Sequence, residues 1–254
     1  MNSKQASLIV GLSMTLFITS PVHAAVTLYD QNFEHPAAFV NDGGDVNIFN
    51  PVNELYGNQP AGFSFAQTNT VETLLITGSQ AFGHGYSDPS GKGGNYALGM
   101  LSTEQNDWLG LSFNVGSNPF MNVRMDISSI DLSVFSGPFV TPGAVPTFEF
   151  TLYDNPSGVN DLGSGKILDV AQVSGIASPR DVFSWTEVSL PLSTMGNTNG
   201  NVTLRIDLLE GGYAAMDNFH ITAAVSPIPE PETYAMFIAG LSLMGFLVRR
   251  CKIV

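Results

Sequence analysis

The chain has one cysteine, Cys251, so no disulfide can form within it. Positive charge is scarce: 9 Lys+Arg stand against 22 Asp+Glu in 254 residues, a formal net charge of −13. A surface so acidic repels phosphate backbones, which excludes nucleic acid as a partner class. Histidine is scarce too. Between residues 25 and 226 there are only His35, His84 and His220, and no two of them have the spacing of a zinc pair. Before residue 227 no ten-residue stretch of good helix formers shows helical periodicity. Long apolar runs are absent from the middle of the chain and occur only at its two ends.

The first run belongs to residues 1–24, which read as a secretory signal peptide. Lys4 opens it, an apolar stretch covers residues 6–18, Pro21 breaks the stretch, and Val22-His23-Ala24 supplies an A-x-A-like cleavage site. Cleavage is expected after Ala24, with Ala25 as the alternative. An uncleaved N-terminal anchor is the competing reading.

The second run has three parts in a fixed order. Pro229-Glu230-Pro231 comes first, then residues 233–248 without a charge, then the basic cluster Arg249, Arg250 and Lys252. As a helix, 233–248 spans roughly 24 Å, short of the about 30 Å of a bilayer core. Snorkelling basic side chains make up part of the difference. The positive-inside rule places the tail in the cytoplasm and the bulk of the chain outside. The bland alternative is a buried terminal helix of a soluble domain. Such a helix would not lack a polar face and then end on three basic residues in four positions.

This order of parts resembles the PEP-CTERM sorting signal of Gram-negative bacteria. The resemblance covers residues 227–252. It implies Pro229, Glu230 and Pro231 as a recognition motif and Arg249 and Arg250, with Lys252, as stop-transfer charges. It also implies export by the Sec machinery, a transient stay in the inner membrane, processing by an exosortase, and a final place at the cell surface or in an exopolysaccharide or biofilm matrix.

Removing 1–24 and 227–254 leaves residues 25–226, with 5 basic and 20 acidic residues. This length suits one β-rich domain. Residues 201–209 alternate without a fault, Val202, Leu204, Ile206 and Leu208 against Thr203, Arg205 and Asp207, which predicts a half-buried strand. Ile130, Leu132 and Val134 alternate likewise, as do Phe148, Phe150 and Leu152. Phe183 and Trp185 lead into Val188 and Leu190 with a phase slip at Thr186-Glu187, which predicts a bulge there. Further short strands are expected at 26–29, 63–66, 73–77, 96–101, 108–113, 166–173 and 215–222, separated by Gly, Asn and Pro turn signals. Some ten short strands at close spacing predict an all-β sandwich or barrel, here a jelly-roll β-sandwich.

One constellation carries chemistry. In Ala214-Ala-Met-Asp-Asn-Phe-His-Ile-Thr222, Asp217 stands in phase with Ala215, Phe219 and Ile221. A carboxylate on a core face is costly unless paired. The stretch resembles the last strand of carbohydrate-binding-type jelly-rolls. That resemblance implies a structural Ca²⁺ held by Asp217 and an acidic residue near the first strand, Glu34 in Asp30-Gln-Asn-Phe-Glu34. Ca²⁺ takes 6–8 oxygens, so backbone oxygens would have to join the two side chains. The alternative is a strand-end carboxylate satisfied by neighbouring amides.

Other motifs fail on inspection. Gly163-Ser-Gly-Lys166 lacks the first glycine and the hydroxyl residue of a phosphate loop. Gly62-Phe-Ser-Phe-Ala66 is one residue from a nucleophile elbow without the strand-to-helix setting. Trp108, Trp185, Tyr56, Tyr86 and Tyr213 are the aromatics available to stack on sugars. Phase puts Trp185 in the core, and Tyr86 and Tyr213 fall in glycine-rich stretches. The leading expectation is a non-enzymatic exported surface or matrix protein able to bind glycan. A secreted polysaccharide hydrolase and a purely structural matrix protein are the alternatives.

Overall fold

The alternation of residues 201–209 becomes the central strand of one layer. The computed structural model describes residues 25–40, 50, 52–60, 62–65, 71–78, 86–102, 107–131, 143–227, 240–242 and 244. Its strands are β1 (Val26–Gln31), β2 (Ser64–Phe65), β3 (Glu72–Leu75), β4 (Tyr96–Leu101), β5 (Trp108–Asn114), β6 (Phe120–Ser129), β7 (Thr147–Asp154), β8 (Ile167–Ser174), β9 (Thr186–Ser193), β10 (Asn201–Glu210) and β11 (Tyr213–Ala224). A single helical turn, α1 (Val52–Leu55), lies between β1 and β2.

Two antiparallel sheets result. Sheet A has the order β3-β4-β11-β6-β9, with β1 also paired to β11; sheet B has the order β2-β5-β10-β7-β8. From β4 onward the chain alternates between layers, except for the β7–β8 pair within sheet B, so that β4-β11-β6-β9 faces β5-β10-β7-β8. These are the interleaved Greek keys of a jelly-roll.

The inward side chains follow period 2. Val202, Leu204, Ile206 and Leu208 of β10, Phe148, Phe150 and Leu152 of β7, and Met121, Val123, Met125 and Ile127 of β6 lie together in the main core. A second apolar cluster, with Leu74, Ile76, Tyr86, Ala97, Phe183 and Tyr213, packs separately from it. The first half of β11 therefore sends Ala214 and Met216 into the main core and Tyr213 and Ala215 into the second cluster. Burial on both faces explains why that half reads as unbroken apolar sequence.

Of the strand expected at Ile130 to Val134, Leu132 to Val134 lie outside the described residues; an unexpected strand, β6, precedes it and ends at Ser129. Two expectations are corrected. The bulge expected at Thr186-Glu187 is absent. β9 starts at Thr186 and pairs with β6 in unbroken register, and the phase slip marks the entry of the chain into the strand. The bulge lies in β11, where the pairing with β6 shifts between Asp217 and His220. Asp217 thus shares a face with Tyr213 and Ala215, not with Phe219 and Ile221.

The expected signal peptide, 1–24, lies outside the described residues. Of the expected helix at 233–248, only 240–242 and 244 are described, as helix. No helix among the described residues is long and apolar enough to cross a membrane.

Core and edge should respond differently to truncation. Leu204 is fully buried, and Leu204→Ala is expected to cost about 2–5 kcal/mol. Val170, on the edge strand β8 and 45% exposed, should lose no more than about 0.5 kcal/mol as Val170→Ala. Urea unfolding followed by tryptophan fluorescence checks both.

Candidate functional site

One edge of β11 is flanked by two strands placed end to end. β4 pairs with residues from Tyr213 to Met216, and β1 pairs with residues from Phe219 to Ala223. Between them, at Asp217-Asn218, neither strand reaches β11. Glu34, just past the end of β1, accepts hydrogen bonds from the Asn95 and Tyr96 backbone N–H groups (2.7 and 3.1 Å) and from the Asn95 side-chain amide (2.9 Å). Its carboxylate thereby fastens β1 to the start of β4.

Asn218 adopts the left-handed region, φ 51°, which an asparagine tolerates better than most residues. Its side-chain amide donates to the Lys92 carbonyl (2.9 Å) and to Asp126 (3.1 Å). Asp217 stands directly opposite Asp126, and Asp126 stands opposite Glu187 on β9. Like charges placed across a sheet repel. Lys92 answers one of them, with its ammonium 3.2 Å from Asp126.

Asp217 is left in the worst position. It is 1% exposed and accepts a 2.6 Å hydrogen bond from the Asn218 N–H. Burial, reinforced by the charges of Glu34, Asp126 and Asp88, pushes its carboxyl up to about 9. Asp88 contrasts with it. Burial would raise that carboxyl, but the Ser90 hydroxyl and the Gly93 and Ser90 N–H groups hold it below the usual carboxylate range.

The structure places Glu34 and Asp217 at one junction. The junction gathers more negative charge than Lys92 balances, and burial above all keeps Asp217 protonated. Among the described residues no three His, Cys, Asp or Glu side chains form a metal-holding group. A cation here would rely on Asp217, Glu34 and neighbouring carbonyl oxygens.

A second constellation lies on the outer face of sheet B, and it was missed as a unit. Register sets Trp108 (β5), Asp207 (β10), Glu149 (β7) and Gln172 (β8) in one row. Arg205, one step along, lies with its guanidinium 4.6 Å from the Trp108 ring centroid and 5.1 Å from that of Tyr153. Its Nε is buried without a hydrogen-bond partner among the described residues. An unanswered buried donor costs about 1–3 kcal/mol. Glu149 is fixed by the Gln172 amide (2.8 Å). Trp108 is 36% exposed, and Gln172 is exposed. The polar phase of each strand was visible in the sequence. What joins the four strands into a row is their register, which no single strand records.

The other aromatics are placed by burial. Trp185 stacks on Phe183 against the second cluster, as its phase predicted. Tyr86 and Tyr213 are 1% and 0% exposed and Tyr56 is 5% exposed, so none of the three is open to a sugar. His220 sits on the outer side of sheet A, 3.7 Å from Asp30.

Residues 227–250 match the PEP-CTERM protein-sorting motif, the segment that contains Pro229, Glu230 and Pro231. A signal of this kind implies export. No curated protein matches the chain in sequence. Among solved structures the chain is similar to a Clostridium thermocellum xylanase 10B fragment of CBM22-1 and GH10 modules complexed with xylohexaose: 11% identity, TM-score 0.43, over 81% of this chain and 30% of that one. It is similar to a CBM22-1–CBM22-2 tandem domain of Paenibacillus barcinonensis Xyn10C, with 12% identity and TM-score 0.45 over 82% of this chain and 49% of that one. It is also similar to the K3 cleaved adhesin domain of Lys-gingipain from Porphyromonas gingivalis, with 9% identity and TM-score 0.41 over 78% and 99%. The chain thus spans less than half the length of the first two. At such identities and scores the reading of the site rests on its own residues.

The raised carboxyl of Asp217 predicts a pH dependence. The unfolded chain ionises this group near pH 3.9, whereas the folded chain keeps its proton up to about pH 9. Across that window the native state binds more protons, so stability falls as pH rises. In chelator, the melting temperature is expected to decline from pH 5 to pH 9, and Asp217→Asn should flatten the decline. An equally steep decline in the variant would show that Asp217 does not carry it.

Proposed function

We propose that this chain, which carries a PEP-CTERM protein-sorting motif, is an exported, non-enzymatic protein that binds glycan on the outer face of sheet B. Its tail is recognised and processed by an exosortase at the inner membrane. Its workplace is the cell surface or the exopolysaccharide matrix of a biofilm.

The observation that carries the binding reading is the row Trp108, Asp207, Glu149 and Gln172 with Arg205 beside it. An indole face covers the apolar side of a sugar ring. The Glu149 carboxylate, the Gln172 carboxamide and the Arg205 guanidinium then match hydroxyls as acceptors and donors; Asp207 lies buried beneath them. Arg205 is held by ring contacts, so its donors are fixed before a ligand arrives, which lowers the entropy cost of binding.

Affinity electrophoresis through gels cast with a panel of neutral and acidic polysaccharides tests this. At least one should retard the full chain, and Trp108→Ala should weaken that binding about tenfold or more, as for a central aromatic contact. No retardation by any of them, or undiminished retardation of a folded Trp108→Ala variant, overturns the reading.

Asp207 and Glu149 face each other across β10 and β7. That pair is the one observation favouring a hydrolase. Release of reducing ends that is lost in Glu149→Gln while binding persists would replace binding by hydrolysis.

Calcium completes the proposal. A Ca²⁺ at Glu34 and Asp217 would supply the missing counter-charge and hold β1, β4 and β11 together at their junction, in a structural role. Binding would displace the Asp217 proton, so affinity should rise with pH. Thermal melting with added Ca²⁺ should show stabilisation that chelator reverses and Asp217→Asn abolishes. No shift in the wild-type protein would exclude the ion.

A further inference from the structure

We infer that one pole of the sandwich rests against the phospholipid surface while the tail is inserted. This rests on reading residues 233–248 as the membrane segment.

The pole is defined by register. Ala224 pairs with Phe120, Phe120 with Ser193, and Val26 with Ala223. The Thr194 N–H bonds the Pro119 carbonyl, and the Val115 N–H bonds the Gly200 carbonyl. The start of β1, the end of β11 and the turns at 114–120, 154–158 and 193–201 therefore meet at one end. Among the described residues, the Asn122 amide ties the fold to the Ser226 carbonyl (3.3 Å), one residue before the sorting motif begins.

Tether length then restricts orientation. Six residues lie between Ser226 and Thr233, so the span is seven steps and reaches at most ~25 Å even fully extended. β11 alone, at 12 residues, is roughly 40 Å long. The opposite pole cannot turn to the membrane on so short a lead.

Charge decides between an upright and a side-lying domain. Segments 25–27, 114–120, 154–166, 193–201 and 223–226 contain two of the domain's 20 acidic residues, Asp154 and Asp161. The Asp154 carboxylate is 5% exposed and capped by Asn197 and Thr198. Asp161 accepts hydrogen bonds from the Gly163 N–H and the Ser164 hydroxyl, and Asp169, near the start of β8, accepts one from the Ser193 N–H. The remaining surface of the pole is asparagine, serine, threonine and glycine, with Val26, Met195 and Val225 exposed at 54%, 74% and 43%. The Lys166 ammonium lies over Gly196. The outer face of sheet A carries the exposed Asp30 and Glu187 beside the buried, Lys92-paired Asp126, against Arg124; that of sheet B carries Glu149 and the buried Asp207 against Arg205. Those faces are repelled by anionic headgroups; the neutral, apolar-tipped pole with its lysine is not.

The full chain in vesicles of phosphatidylethanolamine and phosphatidylglycerol tests the orientation. In a Cys251→Ser background, single fluorophores go on Met195→Cys at the pole, Val170→Cys on the sheet B side, and Ile176→Cys beyond the far end of β8. A headgroup-attached quencher should dim the label at 195 and leave those at 170 and 176 at background. Chain that does not float with vesicles overturns the membrane reading and the orientation with it. Chain that floats but quenches equally at all three positions, or more at 170, overturns the orientation alone.

Discussion

β11 is too long for one neighbour. Its 12 residues are covered along one edge by β4 and β1 in succession, and the seam between them falls at Asp217-Asn218. A seam in the middle of a sheet leaves backbone and side-chain polar groups without ladder partners, and buried polar groups must find others. The local features are answers to that demand. Glu34 gathers the N–H groups at the start of β4, Asn218 takes a left-handed conformation and bonds Lys92 and Asp126, and the strand inserts one extra residue against β6. The extra residue changes which face of β11 looks into the core, and Asp217 is carried to the outer side beside other carboxylates. The electrostatic problem of the junction is thus a consequence of strand pairing.

The two sheets dispose of their outer faces differently. Sheet A covers part of its outer face with the second apolar cluster, to which Tyr86, Phe183 and Trp185 contribute. On sheet B the segment after β7 folds back over one end: a Cβ at Gly110 would lie 2.6 Å from the Asp161 carbonyl oxygen, and Gly163, at φ +84°, packs on the Tyr153 ring. These glycines are what allow that segment to sit down on the sheet. The row from Trp108 to Gln172 lies beyond it, toward the end where β10 turns into β11. A face half covered and half open holds a guanidinium rigidly at its border. Full coverage would leave no room for a ligand, and full exposure would not keep Arg205 between its rings.

Most strands were legible because their inner faces alternate and their ends carry Gly, Asn or Pro. β6 was overlooked although Met121, Val123, Met125 and Ile127 alternate cleanly. Its outer positions, Asn122, Arg124 and Asp126, spread polar character along it, and the adjacent Ile130-Asp131-Leu132 pattern competed for the same signal. Glu34 and Asp217 were legible as partners only through a likeness of pattern, and the face assigned to Asp217 was wrong. A bulge shifts phase by one residue, and the shift here is created by pairing with β6 and by the Asn218 conformation, neither of which has a composition signal. Tyr86 and Tyr213 misled for a related reason. Neighbouring glycines suggested open loops, yet both rings are buried in the second cluster.

The chain's direction through the fold also separates its tasks. The hairpin at Gly211-Gly212 joins the far end of β10 to the start of β11, so Asp207 lies far along β10 from Asn201, the residue at the tail-bearing pole. In a jelly-roll the last strand runs centrally through one sheet, and whatever follows it must leave from a pole instead of a face. A sorting segment attached there leaves the faces free. The outer face of sheet B is then held away from the tail's exit by the same antiparallel pairing that builds the core. The arrangement asks nothing of the tail beyond shortness: six residues, three of them proline, lie between Ser226 and Thr233 and leave little slack for the domain to fall onto its acidic sides.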